Sequence, residues 1–174
     1  MISLVAAVGK GNELGYKGDL VWHISEDLKR FRELTTGHPV LMGHKTFDSL
    51  PKLLPGRKHI VLTREPEELA LEAAKKPAGA GERPEVVPIT ELFEFVDRYK
   101  GTPEELFVIG GGSVYKQLID EADRLYLTEI EADFPEADVY FPEFDKSKFR
   151  CEVVKKGRDE QNDLNYAFVT YTRK

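Results

Sequence analysis

The chain has 174 residues, of which 41% are hydrophobic and 32% charged, with one cysteine and a formal net charge of −6. That length suits a single domain spanning residues 1–174 with its own core, lone Cys151 excludes a disulfide framework, and no apolar run approaches the roughly 18 residues of a membrane span. The acid excess argues against binding to phosphate backbones, so the expectation is a cytoplasmic protein without membrane or nucleic-acid partners, whose basic clusters serve small anions.

Residues 2–8, ISLVAAV, are apolar and rich in branched side chains, as in a central strand covered on both faces. The run lacks the basic leader of a signal peptide. Residues 9–23 form a long connection with Gly9, Gly11, Gly15 and Gly18, ending at Trp22 and His23; a loop of that length is more often functional than not. A helix is predicted over 25–35. On its wheel Ile24, Leu28, Phe31 and Leu34 share an apolar arc with Asp27 in the middle. Burying an unpaired carboxylate is costly or forces it to take up a proton. Either Asp27 is a first-turn acid behind a Ser25 N-cap, favoured by the helix dipole, or something else partners its charge.

HPVLMG then predicts a short strand, HKTFDSL a short helix, LPGR a type II turn with Pro55 and Gly56 at its centre, and 58–64 another strand. EELALEAAKK suggests an exposed helix and PAGAGERP a mobile surface loop. ITELFEFVDRY has Leu92, Phe93 and Val96 at helical spacing. ELFVIGGGSVYKQLI gives a strand, three glycines and a helix start. The runs LYLTEIEA, FRCEVVKK and NYAFVTYT have no helices between them, so antiparallel pairing is expected. The predicted fold class is α/β: a three-layer domain around a mainly parallel sheet of about eight strands, antiparallel at the C-terminal end, flanked by about four helices.

In VIGGGSVY the strand, glycines and helix start leave backbone N–H groups where the dipole favours a phosphate; a tight turn is the alternative. The pattern is neither GxGxxG nor a P-loop. Gly43-His44-Lys45-Thr46 and Thr63-Arg64 both follow strand ends, the side on which open α/β sheets bind ligands. They form either a second anion site, which for a ribose 2′-phosphate means NADPH, or a scatter of surface charges. Arg57 is either a fork for a substrate carboxylate or a solvated turn residue. His23, His38, His44 and His59 lack metal-ligand spacing, so no metal is expected. GxSxG is absent.

These segments in order resemble dihydrofolate reductase: ISLVAAV, Trp22 to Phe31 with Asp27, Met42-Gly43 to Thr46, Leu54-Pro55-Gly56-Arg57, Ile109 to Gly112 with Val114-Tyr115, Leu125-Tyr126-Leu127-Thr128 and Phe141-Pro142. The resemblance implies hydride transfer from NADPH to 7,8-dihydrofolate by a monomer. Carried over by position, Asp27 is the pterin-pocket carboxylate that supports N5 protonation through water, Thr128 bonds to it and Trp22 helps hold the water. Val5, Ala7, Leu28, Phe31, Leu50 and Leu54 line the substrate slot. Arg57 binds the glutamate carboxylate, with Arg32 and Lys52 on the rim.

The resemblance implies Ala7, Leu14, Gly15, Ile109 and Tyr115 around the nicotinamide, Gly110, Gly111, Gly112, Ser113 and Val114 at the pyrophosphate, and His44, Lys45, Thr63 and Arg64 at the adenosine end. Gly18, Asp19, Leu20, Gly43, Thr46, Leu62 and Gln117 are implied as further cofactor-binding residues. A cis Gly110-Gly111 peptide is expected, as is a 9–23 loop that closes over the site with support from Asp138. Val21 stands where the family usually has proline, and His44 where arginine is commoner. These departures bear on loop stiffness and on the pH dependence of the phosphate grip. The pyrimidine reductase of riboflavin synthesis shares the fold and cofactor, but Asp27 with Arg57 favours the folate reading. A silent binding module has little support, since no expected site group is missing.

Overall fold

The computed structural model describes residues 1–75 and 83–174; most of PAGAGERP lies outside them. β1 (Ile2–Val8) is central to an eight-stranded sheet that also holds β4 (Val40–Gly43), β5 (His59–Thr63), β6 (Glu85–Pro88), β7 (Leu106–Gly110), β8 (Arg124–Ile130), β10 (Phe149–Asp159) and β11 (Leu164–Arg173). The order is β10-β11-β8-β1-β7-β4-β5-β6. β1 pairs parallel to both β7 and β8, and β4, β5 and β6 continue the parallel part. β10 and β11 close it antiparallel. β8 therefore departs from the antiparallel expectation on one side. It returns from α5 (Gly112–Leu118) by a crossover, the connection that parallel neighbours require.

The helices α1 (Ser25–Thr35), α2 (His44–Ser49), α3 (Pro66–Lys75), α4 (Leu92–Asp97) and α5 link the strands. Ser25 is the first residue of α1 and not its cap: Ile24 is the extended N-cap, and its carbonyl accepts the Asp27 and Leu28 N–H groups. In α4 the buried residues are Leu92, Phe95 and Val96, while Phe93 turns outward. Its helix begins at Leu92, after a 3-10 turn that offsets the predicted face. β6, unforeseen in sequence, occupies the sheet edge, where Pro88 forfeits no interior ladder bond.

The 9–23 segment is a hairpin. β2 (Glu13–Tyr16) and β3 (Asp19–Leu20) flank Lys17-Gly18, both at positive φ, and β2 also pairs with β9 (Val139–Tyr140). Two consecutive positive φ values match the twist of a two-residue hairpin turn. Among the described residues no helix is long and apolar enough to cross a membrane.

Parallel pairing puts the C-terminal ends of β1, β4, β5 and β7 on one edge of the sheet. The core lies beneath: Ile2, Leu4, Leu41, Ile60, Leu106 and Val108 are wholly buried. Along β1 burial is complete for Ile2, Ser3 and Leu4 but partial for Val5, Ala6 and Ala7. Val8 is buried again, so the surface that β1 leaves open to a ligand is at residues 5–7.

Candidate active site

α1 reaches β8 through Asp27 and Thr128 and β11 through Arg30 and Thr170. It buries only Thr35 fully; Phe31 and Leu34 are half-covered, and Leu28 is 59% exposed. The apolar arc closes against the core only at its ends, where Ile24 is buried and Leu34 packs on a core cluster, while Leu28 and Phe31 between them, like Val5, Ala7, Leu50 and Leu54, keep exposed surface. Asp27 points to β8, where the buried Thr128 hydroxyl donates a short hydrogen bond to its Oδ1. Thr128 stands beside Ala7 in the parallel register, so sheet pairing itself sets that hydroxyl next to β1.

Burial pushes the Asp27 carboxyl above its ordinary range; the Thr128 hydrogen bond and the Arg30 charge act against this without cancelling it. Arg30, one turn along α1, lies 4.6 Å from the Phe168 ring centroid and donates to Thr170 Oγ1 at 3.5 Å. Sequence reasoning passed it over, although i,i+3 spacing from Asp27 signals a same-face charge. Tyr115 is buried and donates to the Val5 carbonyl at 2.6 Å; burial and then the Asp27 charge push its phenol upward.

Arg57 follows the turn at Pro55-Gly56, where Gly56 takes φ +69. Its Nε donates to Pro55 O at 3.0 Å and Nη1 to Thr35 Oγ1 at 3.1 Å. Those bonds fix the plane of the fork and leave the remaining N–H groups to the slot mouth. Burial and then the neighbouring Arg32 push its guanidinium down, the signature of two cations sharing a rim. Thr35 as the anchor was not legible in sequence. Arg32 and Lys52 are exposed.

The glycine edge lies beyond β7. Gly110-Gly111 is cis, and Gly110 has φ +135. A Cβ at Gly43 would meet Val114 Cγ2 at 3.3 Å, one at Gly110 or Gly111 would meet Thr46 Oγ1 at 3.4 Å, and one at Gly112 would meet Val139 Cγ1 at 2.5 Å. The strand ends thus approach closely only because these positions lack side chains. α5 starts at Gly112 without a side-chain cap; the Val114 and Tyr115 N–H groups already donate to the Gly111 carbonyl at 3.1 and 3.0 Å, which leaves those of Gly112 and Ser113 for an anion. Gln117 turns back to Ser113 O at 3.2 Å. Leu62 packs in the core, so any contact it makes with the cofactor is through its backbone.

His44 and Thr63 also differ from the expectation of free phosphate ligands. His44 Nδ1 bonds to Thr63 Oγ1 at 2.8 Å and Nε2 to Glu72 Oε2 at 2.9 Å. Thr63 Oγ1 also accepts the Glu65 N–H at 2.9 Å. Lys45 and Arg64 are exposed beside them.

The β2–β3 hairpin is tied down at two points. Asp138 accepts the Lys17 N–H at 3.0 Å and donates its own N–H to Gly15 O at 3.0 Å. At the base, Trp22 Nε1–H donates to the Glu13 carbonyl at 2.9 Å, and the buried Glu13 carboxylate accepts the Phe134 N–H at 3.0 Å. Trp22's single N–H donor is thus committed to the chain in this conformation. Leu14 is buried, whereas Asp19 and Leu20 are exposed. A Cβ at Gly9 would lie 2.5 Å from Trp22 Cζ2 and 2.8 Å from the Ala132 carbonyl oxygen. That carbonyl is backbone and cannot swing aside. Gly9→Ala is expected to cost about 1–3 kcal/mol by overpacking and to lower kcat about tenfold or more by displacing the hairpin. Thermal melts and steady-state rates on the variant check both; an unchanged kcat with an unchanged melt contradicts the close packing.

Among solved structures, dihydrofolate reductase from Enterococcus faecalis complexed with NADP(H) and RAB-propyl superimposes with a TM-score of 0.79 at 30% identity, covering 99% of this chain and 96% of that one. Fold and site edge together define an α/β oxidoreductase that draws on a nicotinamide dinucleotide. A dihydrofolate reductase family model matches residues 1–173, and the dihydrofolate reductase of Bacillus subtilis strain 168 is 38% identical over 100% of this chain and 95% of its own length. The chain belongs to the dihydrofolate reductase family. Dihydrofolate reductase HdrB of Haloferax volcanii is also 38% identical, over 98% of this chain and 82% of its own length. The enzyme is an NADPH-dependent oxidoreductase of one-carbon metabolism that reduces dihydrofolate to tetrahydrofolate.

Proposed function

We propose that Asp27 is the group through which this enzyme supports protonation of pterin N5, acting by way of an ordered water, in a monomeric cytoplasmic protein whose one domain spans residues 1–174 and which binds no nucleic acid. The pairing of half-buried Asp27 with the Thr128 hydroxyl, opposite the exposed half of β1, carries this reading. A carboxyl with raised proton affinity suits a step in which a weakly basic ring nitrogen must gain a proton. Val5, Ala7, Leu28, Phe31, Leu50 and Leu54 enclose the pterin and aminobenzoyl groups and exclude water. Arg57 takes the glutamate carboxylate, with Arg32 and Lys52 at the rim.

The glycine-rich end of β7, running into the uncapped start of α5, supports a dinucleotide at this edge. Gly110, Gly111, Gly112, Ser113 and Val114 would hold the pyrophosphate, Ala7, Leu14, Gly15, Ile109 and Tyr115 the nicotinamide, and Lys45, Thr46 and Arg64 the adenosine end. NADPH, when bound, supplies the hydride. The chain's own contribution is to orient the rings and keep the slot dry, with the hairpin at 13–20 closing over it.

The test is loss of nicotinamide absorbance when protein, NADPH and dihydrofolate are mixed. Consumption only with a ribosylaminopyrimidine would assign the rival reductase activity, and no consumption with either would leave a binding module.

A further inference from the structure

His44 sits where β4 and β5 end, on the edge proposed for the adenosine end of the cofactor, yet its surroundings are acidic. Its Nε2 lies 2.9 Å from Glu72 Oε2 on α3 and 3.6 Å from Asp48 Oδ2 on its own helix. Glu65 contributes a further negative charge, and Glu68 interacts with both Glu65 and His44. Nδ1 is held by Thr63 at 2.8 Å. Both ring nitrogens are therefore occupied before any ligand arrives, and the cation nearest the strand ends already has an anion.

We propose that Glu72 is a specificity-determining residue for the dinucleotide: its carboxylate stands in for the ribose 2′-phosphate on His44, so that NADPH binds at the expense of the Glu72–His44 contact whereas NADH leaves that contact intact. The proposal rests on the adenosine end lying at β4 and β5, as read above. Lys45 and Arg64, exposed on either side, then carry the phosphate preference against the opposition of Glu72, Asp48, Glu65 and Glu68. The preference for NADPH is smaller than three cations would give, and it depends on pH.

Burial pulls the His44 imidazole down, but the Glu72 hydrogen bond and the charges of Asp48, Glu72 and Glu65 hold it above its ordinary value. A phosphate monoester has its second pKa near 6, so above about pH 7 the 2′-phosphate is already mostly dianionic. With the phosphate charge nearly fixed there, loss of the imidazole proton as pH rises through its raised midpoint weakens NADPH binding without affecting NADH.

The experiment is direct binding of NADPH and of NADH, without substrate, to the wild-type protein and to Glu72→Gln at pH 7 and pH 9, alongside an NMR titration of the His44 ring. Glu72→Gln is expected to lower the His44 titration midpoint, to leave NADH within about twofold, and, above the wild-type midpoint where the imidazole is neutral in both proteins, to tighten NADPH roughly threefold or more, the worth of one close surface charge. The wild-type NADPH-to-NADH ratio is expected to fall as pH rises through the His44 midpoint that NMR records, and the variant's to change less. An unchanged ratio in Glu72→Gln, or NADPH and NADH affinities that move together, overturns the proposal. If turnover with NADPH and dihydrofolate is intact while the ratio is unmoved by Glu72→Gln, the role of Glu72 has failed and the activity has not.

Discussion

Asp27→Asn is expected to lose activity at neutral pH by about 10²–10⁴-fold, the usual worth of a positioned acid or base, and to recover part of it in acid, where the substrate arrives already protonated. Asparagine keeps the shape and can still accept the Thr128 hydrogen bond, but it has no proton affinity to offer. The pH–rate profile is the decisive measurement: a variant profile parallel to the wild type would remove Asp27 from the protonation step.

The same substitution carries a stability prediction of opposite sign. The folded carboxyl is raised above its unfolded value of 3.8, so between those two values the native state binds more protons than the unfolded one. Stability from this group therefore falls as pH rises from the unfolded value through the folded one, and above both the charge remains a net cost. Asp27→Asn should accordingly melt higher than the wild type at pH 7 and like it near pH 3. Activity and stability trade against each other at this residue, because the burial that costs folding energy is what raises its proton affinity.

Arg57→Ala is expected to raise KM for dihydrofolate by about 100-fold, the scale of a lost charge-assisted bidentate contact, with kcat changed far less. The reacting ring lies away from this end of the slot, so the lost interaction is equal in ground and transition states. Arg57→Lys should recover only part, since an ammonium lacks the planar fork. A pterin without the glutamate tail supplies the control: wild type and Arg57→Ala should turn it over alike. Folding should change little. Thr35 keeps its hydrogen bond to Phe31 O at 2.7 Å when the guanidinium goes, so no buried hydroxyl is orphaned. An unchanged KM for dihydrofolate would place the carboxylate elsewhere.

The parallel strands, the helix over 25–35, the Pro-Gly turn and the glycine-rich strand end were legible in sequence because each is a local pattern: continuous apolar runs, 3.6-residue spacing, or residue types that only certain turns accept. Family and reaction were legible through the order of those patterns. What stayed hidden lacked such a local signal. β3 is two exposed residues, and β9 likewise, so neither shows an alternation; they exist because β2 lies between them. Thr35 beneath Arg57, Glu13 beneath the hairpin and Glu72 on His44 are polar side chains whose partners lie 22, 121 and 28 positions away.

Asp27 shows the division best. Sequence alone established that a carboxylate lies on the apolar arc of a helix, and that it must find a partner, take up a proton or stay wet. The resemblance implied Thr128 as that partner, and the tertiary structure brings it there, across 101 positions of chain, through the pairing of β8 with β1. Propensity and turn chemistry act over a few residues and are written in them. Burial, and with it proton affinity, is set by whatever the fold packs around a group.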